Sequence, residues 1–129
     1  MFYKALILAL ALVTGVLAAE PIEGVWRRGG LRWDVKKLGS KMEVKVTAMG
    51  GNTYTYTAAP DGKDYPVTGF IPGTTVRLLS VTDRGFETVM FLNGKEFSRT
   101  RNSVAPDGKL LNSETSQNGS SSRLIFAHY

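Results

Sequence analysis

The chain has 129 residues, of which 16 are lysine or arginine and 11 are aspartate or glutamate, for a formal net charge of +5 at pH 7. It contains no cysteine, which excludes a disulfide scaffold and a metal site built on thiolates. A chain of this length has room for one domain with one modest core, so its stability must come from a continuous apolar interior.

The N-terminal segment has the composition of a secretory signal peptide. Lys4 adds positive charge, the residues from Ala5 to Val13 are almost wholly apolar, and Val16 and Ala18 suit the −3 and −1 positions of signal peptidase. The apolar stretch is shorter than the roughly 20 residues that span a bilayer. We therefore predict a signal-peptide helix at residues 1–19, a domain at residues 20–129, and export to the periplasm or beyond with no transmembrane span after cleavage.

The remainder of the chain alternates apolar and polar residues with a period of two, which is typical of half-buried strands. Residues 42, 44, 46 and 48 are apolar, whereas residues 41, 43, 45 and 47 are polar. Turn signals recur about every 8 to 12 residues, and Asn93-Gly94 is the strongest two-residue hairpin signal among them. The predicted strands are residues 25–26, 33–38, 41–48, 53–58, 74–82, 86–92, 95–104, 110–116 and 123–129.

Eight or nine short strands joined by tight hairpins predict an all-β, antiparallel fold, either an up-and-down barrel or a sandwich. The adjacent Leu78 and Leu79 predict a bulge or burial on both faces of their strand.

Several motifs resemble known families. Gly24-Val25-Trp26 resembles the Gly-x-Trp start of lipocalins, fatty-acid-binding proteins and avidins. Residues 55–58, 61–69, 93–95 and 103–111 resemble a group of exported bacterial lipocalin-like proteins of uncharacterised function. The resemblance covers residues 53–116 and the tryptophan start, and it implies a calycin-type barrel. Two departures are Arg27-Arg28-Gly29-Gly30, which interrupts the tryptophan strand, and the second tryptophan, Trp33.

The resemblance also implies a way to close the barrel. In calycin barrels the tryptophan closes one end, and an arginine or lysine of the last strand lies across its ring. This implies barrel-closing roles for Gly24, Trp26 and Arg123. The alternative for Arg123 is an ordinary exposed arginine on a strand.

Residues suited to catalysis are few. His128 is the one histidine, and the carboxylates near turns have a structural explanation in those turns. No Ser-His-Asp pattern or glycine-rich phosphate loop is present in the sequence. We predict a protein that is not an enzyme and that needs no metal or cofactor.

Binding inside the barrel is the better candidate function, because an eight-stranded barrel is just wide enough for a small ligand. We predict a lining drawn from eight residues, the alternative for all of them being a filled core: Tyr54, Tyr56, Val76, Leu78, Phe86, Met90, Phe97 and Phe126.

Arg99 and Arg101 fall on the face of Phe97 if alternation continues, and they would then bind an anionic group of a ligand. If the strand is bulged, they are surface charges instead.

The function that follows is an exported, non-catalytic binding domain for a small apolar or amphipathic molecule. The alternative is an envelope interaction or structural module, with a basic surface near the N-terminus that binds an anionic surface or a partner protein. Nucleic acid is not an expected partner. The basic residues of that surface are Arg27, Arg28, Arg32, Lys36, Lys37, Lys41 and Lys45, and the same segment contains the acidic residues Glu20, Glu23, Asp34 and Glu43.

Overall fold

The computed structural model describes residues 21–129, so the predicted signal peptide at residues 1–19 lies outside the described residues. Within residues 21–129, no helix is long and apolar enough to cross a membrane. The strands, in chain order, are β1 (Gly24–Arg28), β2 (Leu31–Leu38), β3 (Lys41–Thr47), β4 (Thr53–Ala58), β5 (Asp64–Pro66), β6 (Thr74–Thr82), β7 (Gly85–Leu92), β8 (Lys95–Val104), β9 (Leu110–Gln117) and β10 (Ser120–His128).

These strands form one antiparallel sheet in the order β4-β3-β2-β1-β10-β9-β8-β7-β6-β5. The sheet curls so that its two edge strands approach each other, and Thr55 of β4 forms an isolated bridge with Thr68, just beyond β5. The result is an up-and-down, nearly closed barrel, which confirms the all-β antiparallel prediction and is compatible with a calycin-like fold.

The number of strands differs from the prediction, since residues 21–129 form ten strands rather than eight or nine. The additional strand is β5, which has only three residues and ends at Pro66. Such a segment is too short to show alternation, and proline is confined to sheet edges because it cannot donate a ladder hydrogen bond. It is a strand because β6 pairs with it, Tyr65 lying opposite Val76.

Two tight hairpins follow the rule that type I′ turns need positive φ at both central residues. Asn93 and Gly94 have φ values of 51° and 82°, and Asn118 and Gly119 have values of 50° and 81°. The hairpin predicted at Asn93-Gly94 is therefore confirmed.

The apolar side chains concentrate at one end of the barrel. We define the closed end as the end that carries the turns at residues 39–40, 83–84 and 105–109, and the open end as the end that carries the turns at residues 29–30, 93–94 and 118–119. The closed half is packed with buried side chains, which include Ile22, Trp26, Val35, Met42, Leu78, Phe86, Leu111 and Phe126. We call this packed layer of side chains the floor of the barrel.

Candidate functional site

A cavity of about 230 Å³ lies in the open half of the barrel, above this packed floor. Its lining consists of Trp33, Val44, Val46, Tyr54, Tyr56, Phe70, Thr88, Met90, Phe97, Ser98, Thr100, Asn102, Thr115 and Gln117.

The cavity has two chemically different walls. Strands β2, β3 and β4 contribute a wall of aromatic and aliphatic side chains, and Phe70 extends it at the mouth, where its ring lies 5.3 Å from that of Tyr54. Strands β7, β8 and β9 contribute mainly hydroxyl and amide groups, together with the apolar side chains of Met90 and Phe97. The strand register places Thr88, Thr100 and Thr115 in one row across these strands, and the hydroxyls of Thr100 and Thr115 are 3.1 Å apart.

Asn102 lies one row nearer the floor, between Phe86 on β7 and Ser113 on β9. It is only 3% exposed. Neither its Nδ2 nor its Oδ1 atom has a hydrogen-bond partner among residues 21–129. Buried amides are nearly always paired, because each unpaired polar group costs about 1–3 kcal/mol. Asn102 is therefore an unsatisfied donor and acceptor in the wall of the cavity.

The two tyrosines of the apolar wall are held in their neutral form. Burial raises the pKa of Tyr54, and burial together with the neighbouring Tyr54 raises the pKa of Tyr56. Lysine, arginine, aspartate, glutamate and histidine are absent from the residues that line the cavity. The described lining thus presents hydroxyl, amide and apolar groups, without an ionised side chain.

Four of the eight predicted uncharged lining residues meet at this cavity, namely Tyr54, Tyr56, Met90 and Phe97. The other four are buried in the hydrophobic core and do not line the cavity, namely Val76, Leu78, Phe86 and Phe126. Their placement corrects the prediction, because these side chains pack against one another inside the barrel instead of bordering the space.

Arg99 and Arg101, which would bind a ligand only if alternation continued, do not line the cavity, and both are exposed. Alternation fails at a bulge, where Met90 pairs with Ser98 but Phe91 pairs with Glu96, so Phe97 is an extra residue. Beyond the bulge, Ser98 and Thr100 line the cavity, and the arginines point outward. Arg99 forms an ion pair with Glu96 at 3.3 Å.

Arg101 has acidic neighbours on the same outer surface. The register places it between Glu87 of β7 and Glu114 of β9. The alternative left open by the sequence, that the bulge makes these arginines surface charges, is the one that the geometry supports.

The closed end is plugged differently from the arrangement that the resemblance implies. Trp26 is fully buried, its Nε1–H donates to the carbonyl oxygen of Ile22 at 3.0 Å, and its ring makes an edge-to-face contact with His128, with centroids 4.5 Å apart. Gly24 leaves room for that imidazole, since a Cβ atom there would lie 2.6 Å from Nε2 of His128.

Arg123 does not lie across the tryptophan ring. Leu124 and Phe126 point into the barrel, so Arg123 points outward, 3.6 Å from Glu114. The expected role of Arg123 in closing the barrel is therefore wrong, and His128 occupies the place beside Trp26 instead.

The predicted basic surface has interleaved charges on β2 and β3. Arg32 donates two hydrogen bonds, each of 3.0 Å, to the carboxylate of Asp34. Asp34 in turn lies opposite Lys45 in the ladder, and Lys36 lies opposite Glu43. This face is a mixture of both signs rather than a uniformly basic patch.

Sequence reasoning missed the polar wall and two aromatic residues of the cavity, Trp33 and Phe70. The polar wall did leave a signal, because alternate residues of β8 and β9 carry amide or hydroxyl groups where an apolar core residue is expected. Phe70 lies in the loop between β5 and β6, where no periodicity points to it.

Comparisons of the chain with protein-family models, with curated proteins and with solved structures found no match. The family resemblance therefore rests on the sequence motifs alone, beside a barrel topology that is compatible with it.

Proposed function

We propose that this chain is an exported, non-catalytic binding protein of the lipocalin-like group, which holds a small amphipathic molecule in the cavity at the open end of its barrel. The observation that carries the proposal is the cavity itself. Protein interiors are close-packed, and voids larger than a water molecule are few in a domain. A space of about 230 Å³ above the packed floor is therefore unusual for a small domain, and it supports a role in binding a ligand.

The size of the cavity limits the ligand. The volume is smaller than the roughly 300–1,000 Å³ of pockets that bury drug-sized molecules. A cavity of this size favours a compact ligand.

Binding is favoured over catalysis by the groups that line the cavity. General acid–base chemistry needs a group whose pKa lies near the working pH. The titratable groups of the lining are tyrosines, and burial moves the pKa of both away from neutrality. His128, the histidine of the chain, packs on Trp26 at the opposite end of the barrel.

Docking on an anionic surface is the weaker alternative. A uniformly basic face would attract such a surface, but acidic residues lie beside the basic residues of β2 and β3. Ion pairs that these exposed residues form with an anionic surface would contribute at most about 1 kcal/mol each and would be screened by salt.

The test compares two variants on one strand. Ser98→Phe places a ring in the cavity, whereas Ser103→Phe places the same ring on the exposed outer face of β8. We expect native mass spectrometry of the exported protein to show a bound small molecule in the wild type and in Ser103→Phe, and none in Ser98→Phe. A wild-type protein without bound mass, or equal retention by both variants, would contradict the proposal.

A further inference from the structure

We infer that the ligand of this cavity is uncharged and carries an adjacent hydrogen-bond donor and acceptor, as in a primary amide or a lactam, on a compact apolar body. The inference rests on the proposed function, since it names the class of molecule that the same cavity takes. Three independent features lead to it: the charge of the lining, the unpaired amide of Asn102, and the division of the cavity into two walls.

Among residues 21–129, the cavity lining contains no charged side chain that could neutralise an ionised ligand. The nearest candidates by sequence, Arg99 and Arg101, point outward and have acidic neighbours on the outer surface. Moving an isolated carboxylate or ammonium group from water into such an environment is very costly, and such groups become neutral instead. The cavity therefore selects against anions and cations alike.

Asn102 indicates which polar group the ligand carries. Both its Nδ2 and its Oδ1 atom are buried and lack a partner among the described residues. A carboxamide offers two donors and one acceptor, so another amide edge can accept one hydrogen bond from it and donate one to it. Rotation about the terminal torsion of asparagine is soft, which lets the amide turn toward a bound molecule. A ligand with one donor or one acceptor alone would leave half of this amide unsatisfied.

The two walls determine how such a molecule would lie. Its amide edge would face Asn102 and the hydroxyl row formed by Thr88, Thr100 and Thr115. Its apolar body would face Trp33 and Tyr54 on the opposite wall. A flat molecule with one polar edge matches this division, because the apolar wall includes aromatic rings.

Four probes of nearly equal size test the inference on the full-length chain. Benzamide is neutral with a donor and an acceptor, benzoate is an anion, benzamidinium is a cation, and toluene is apolar. Titration followed by NMR would give the dissociation constant of each. We expect benzamide to bind at least about tenfold more tightly than either ion, because the cavity has no countercharge, and more tightly than toluene.

Asn102→Leu separates the amide from the rest of the cavity. This substitution removes the donor and the acceptor at similar size, so we expect it to abolish the advantage of benzamide over toluene while toluene still binds. Retained binding of toluene would also show that the variant is folded. If Asn102→Leu does not fold, the ranking of the four probes on the wild type decides the inference by itself.

Failure of this inference differs from failure of the proposed function. If benzoate, benzamidinium or toluene binds as tightly as benzamide, or if Asn102→Leu keeps the preference for benzamide, the inferred ligand class is wrong although the cavity binds small molecules. If none of the four probes binds, the proposal of a ligand-binding cavity fails together with it.

Discussion

Thr55 and Thr68 join the two edges of the sheet, since the backbone N–H of each donates to the carbonyl oxygen of the other, at 2.8 and 2.9 Å. The residue after Thr68 is Gly69, whose φ is +89°, and a Cβ atom at this position would clash with the carbonyl oxygen of Thr53. We call this contact between the two edges of the sheet the seam. The seam therefore requires glycine at position 69.

We predict that Gly69→Ala destabilises the barrel by more than the cost of its backbone conformation. A residue other than glycine at such a φ costs about 1–3 kcal/mol, and the clash with β4 adds to this. Gly62→Ala is the matched control, because Gly62 has a φ of +79° but a Cβ atom there would meet no atom within 4 Å. Urea unfolding would give both free energies, and equal losses would show that the seam tolerates a methyl group.

The burial of Trp26 at the closed end leads to a second prediction. Trp26→Ala removes a fully buried ring and its hydrogen bond to Ile22, so the free energy of unfolding should fall by about 3–5 kcal/mol. Arg123→Ala should change it by no more than about 0.5 kcal/mol, because the Arg123 side chain is 63% exposed and its ion pair is on the surface. Denaturant unfolding checks both. A loss of several kcal/mol for Arg123→Ala would contradict this prediction and would support the barrel-closing role that the resemblance implies for Arg123.

The third prediction is that the free energy of unfolding decreases at alkaline pH because of Tyr56. Its pKa is raised in the folded state, and the first cause is burial. Above about pH 10 an unfolded tyrosine loses its proton while the folded one keeps it, so the unfolded state binds fewer protons and stability falls as pH rises. The loss due to this one residue should reach about 1 kcal/mol by pH 11.

Tyr56→Phe should remove that part of the loss. The free energies of unfolding of the wild type and the variant would be compared at pH 7, where phenol and phenyl are both uncharged, and again at pH 11. The difference at pH 7 measures the effect of the hydroxyl on packing and serves as the control. An identical decline with pH in both proteins would refute the assignment of this titration to Tyr56.

Strands and hairpins were predictable because the forces behind them are local. Alternation in β3 and the Asn-Gly turn at residues 93–94 are properties of neighbouring residues, and they recur in the fold as predicted. Strand β5 was not predictable in this way, since its three residues become a strand only where β6 offers partners.

The candidate site was predictable in part. Tyr54 and Tyr56 follow the alternation of an unbroken strand, and both line the cavity. Counting by alternation failed for Arg99 and Arg101, because one extra residue at Phe97 changes the face of every residue counted from it. Asn102 is on the same strand, and the same shift moved it from the expected outer face into the wall of the cavity.

From the sequence alone it follows that the chain is an antiparallel all-β protein with tight hairpins and alternating strands such as β3, because these properties depend on residues close together in the chain. The tertiary structure was needed to show that the two edges meet at Thr55 and Thr68, that one end is filled while the other is hollow, and that the cavity lining within residues 21–129 has no charged side chain. Those features depend on the register of strands far apart in sequence and on the volumes of the side chains that meet inside. The bulge at Phe97 is one example: because it changes the face of the residues that follow, Arg99 and Arg101 point outward and Asn102 lies in the wall of the cavity.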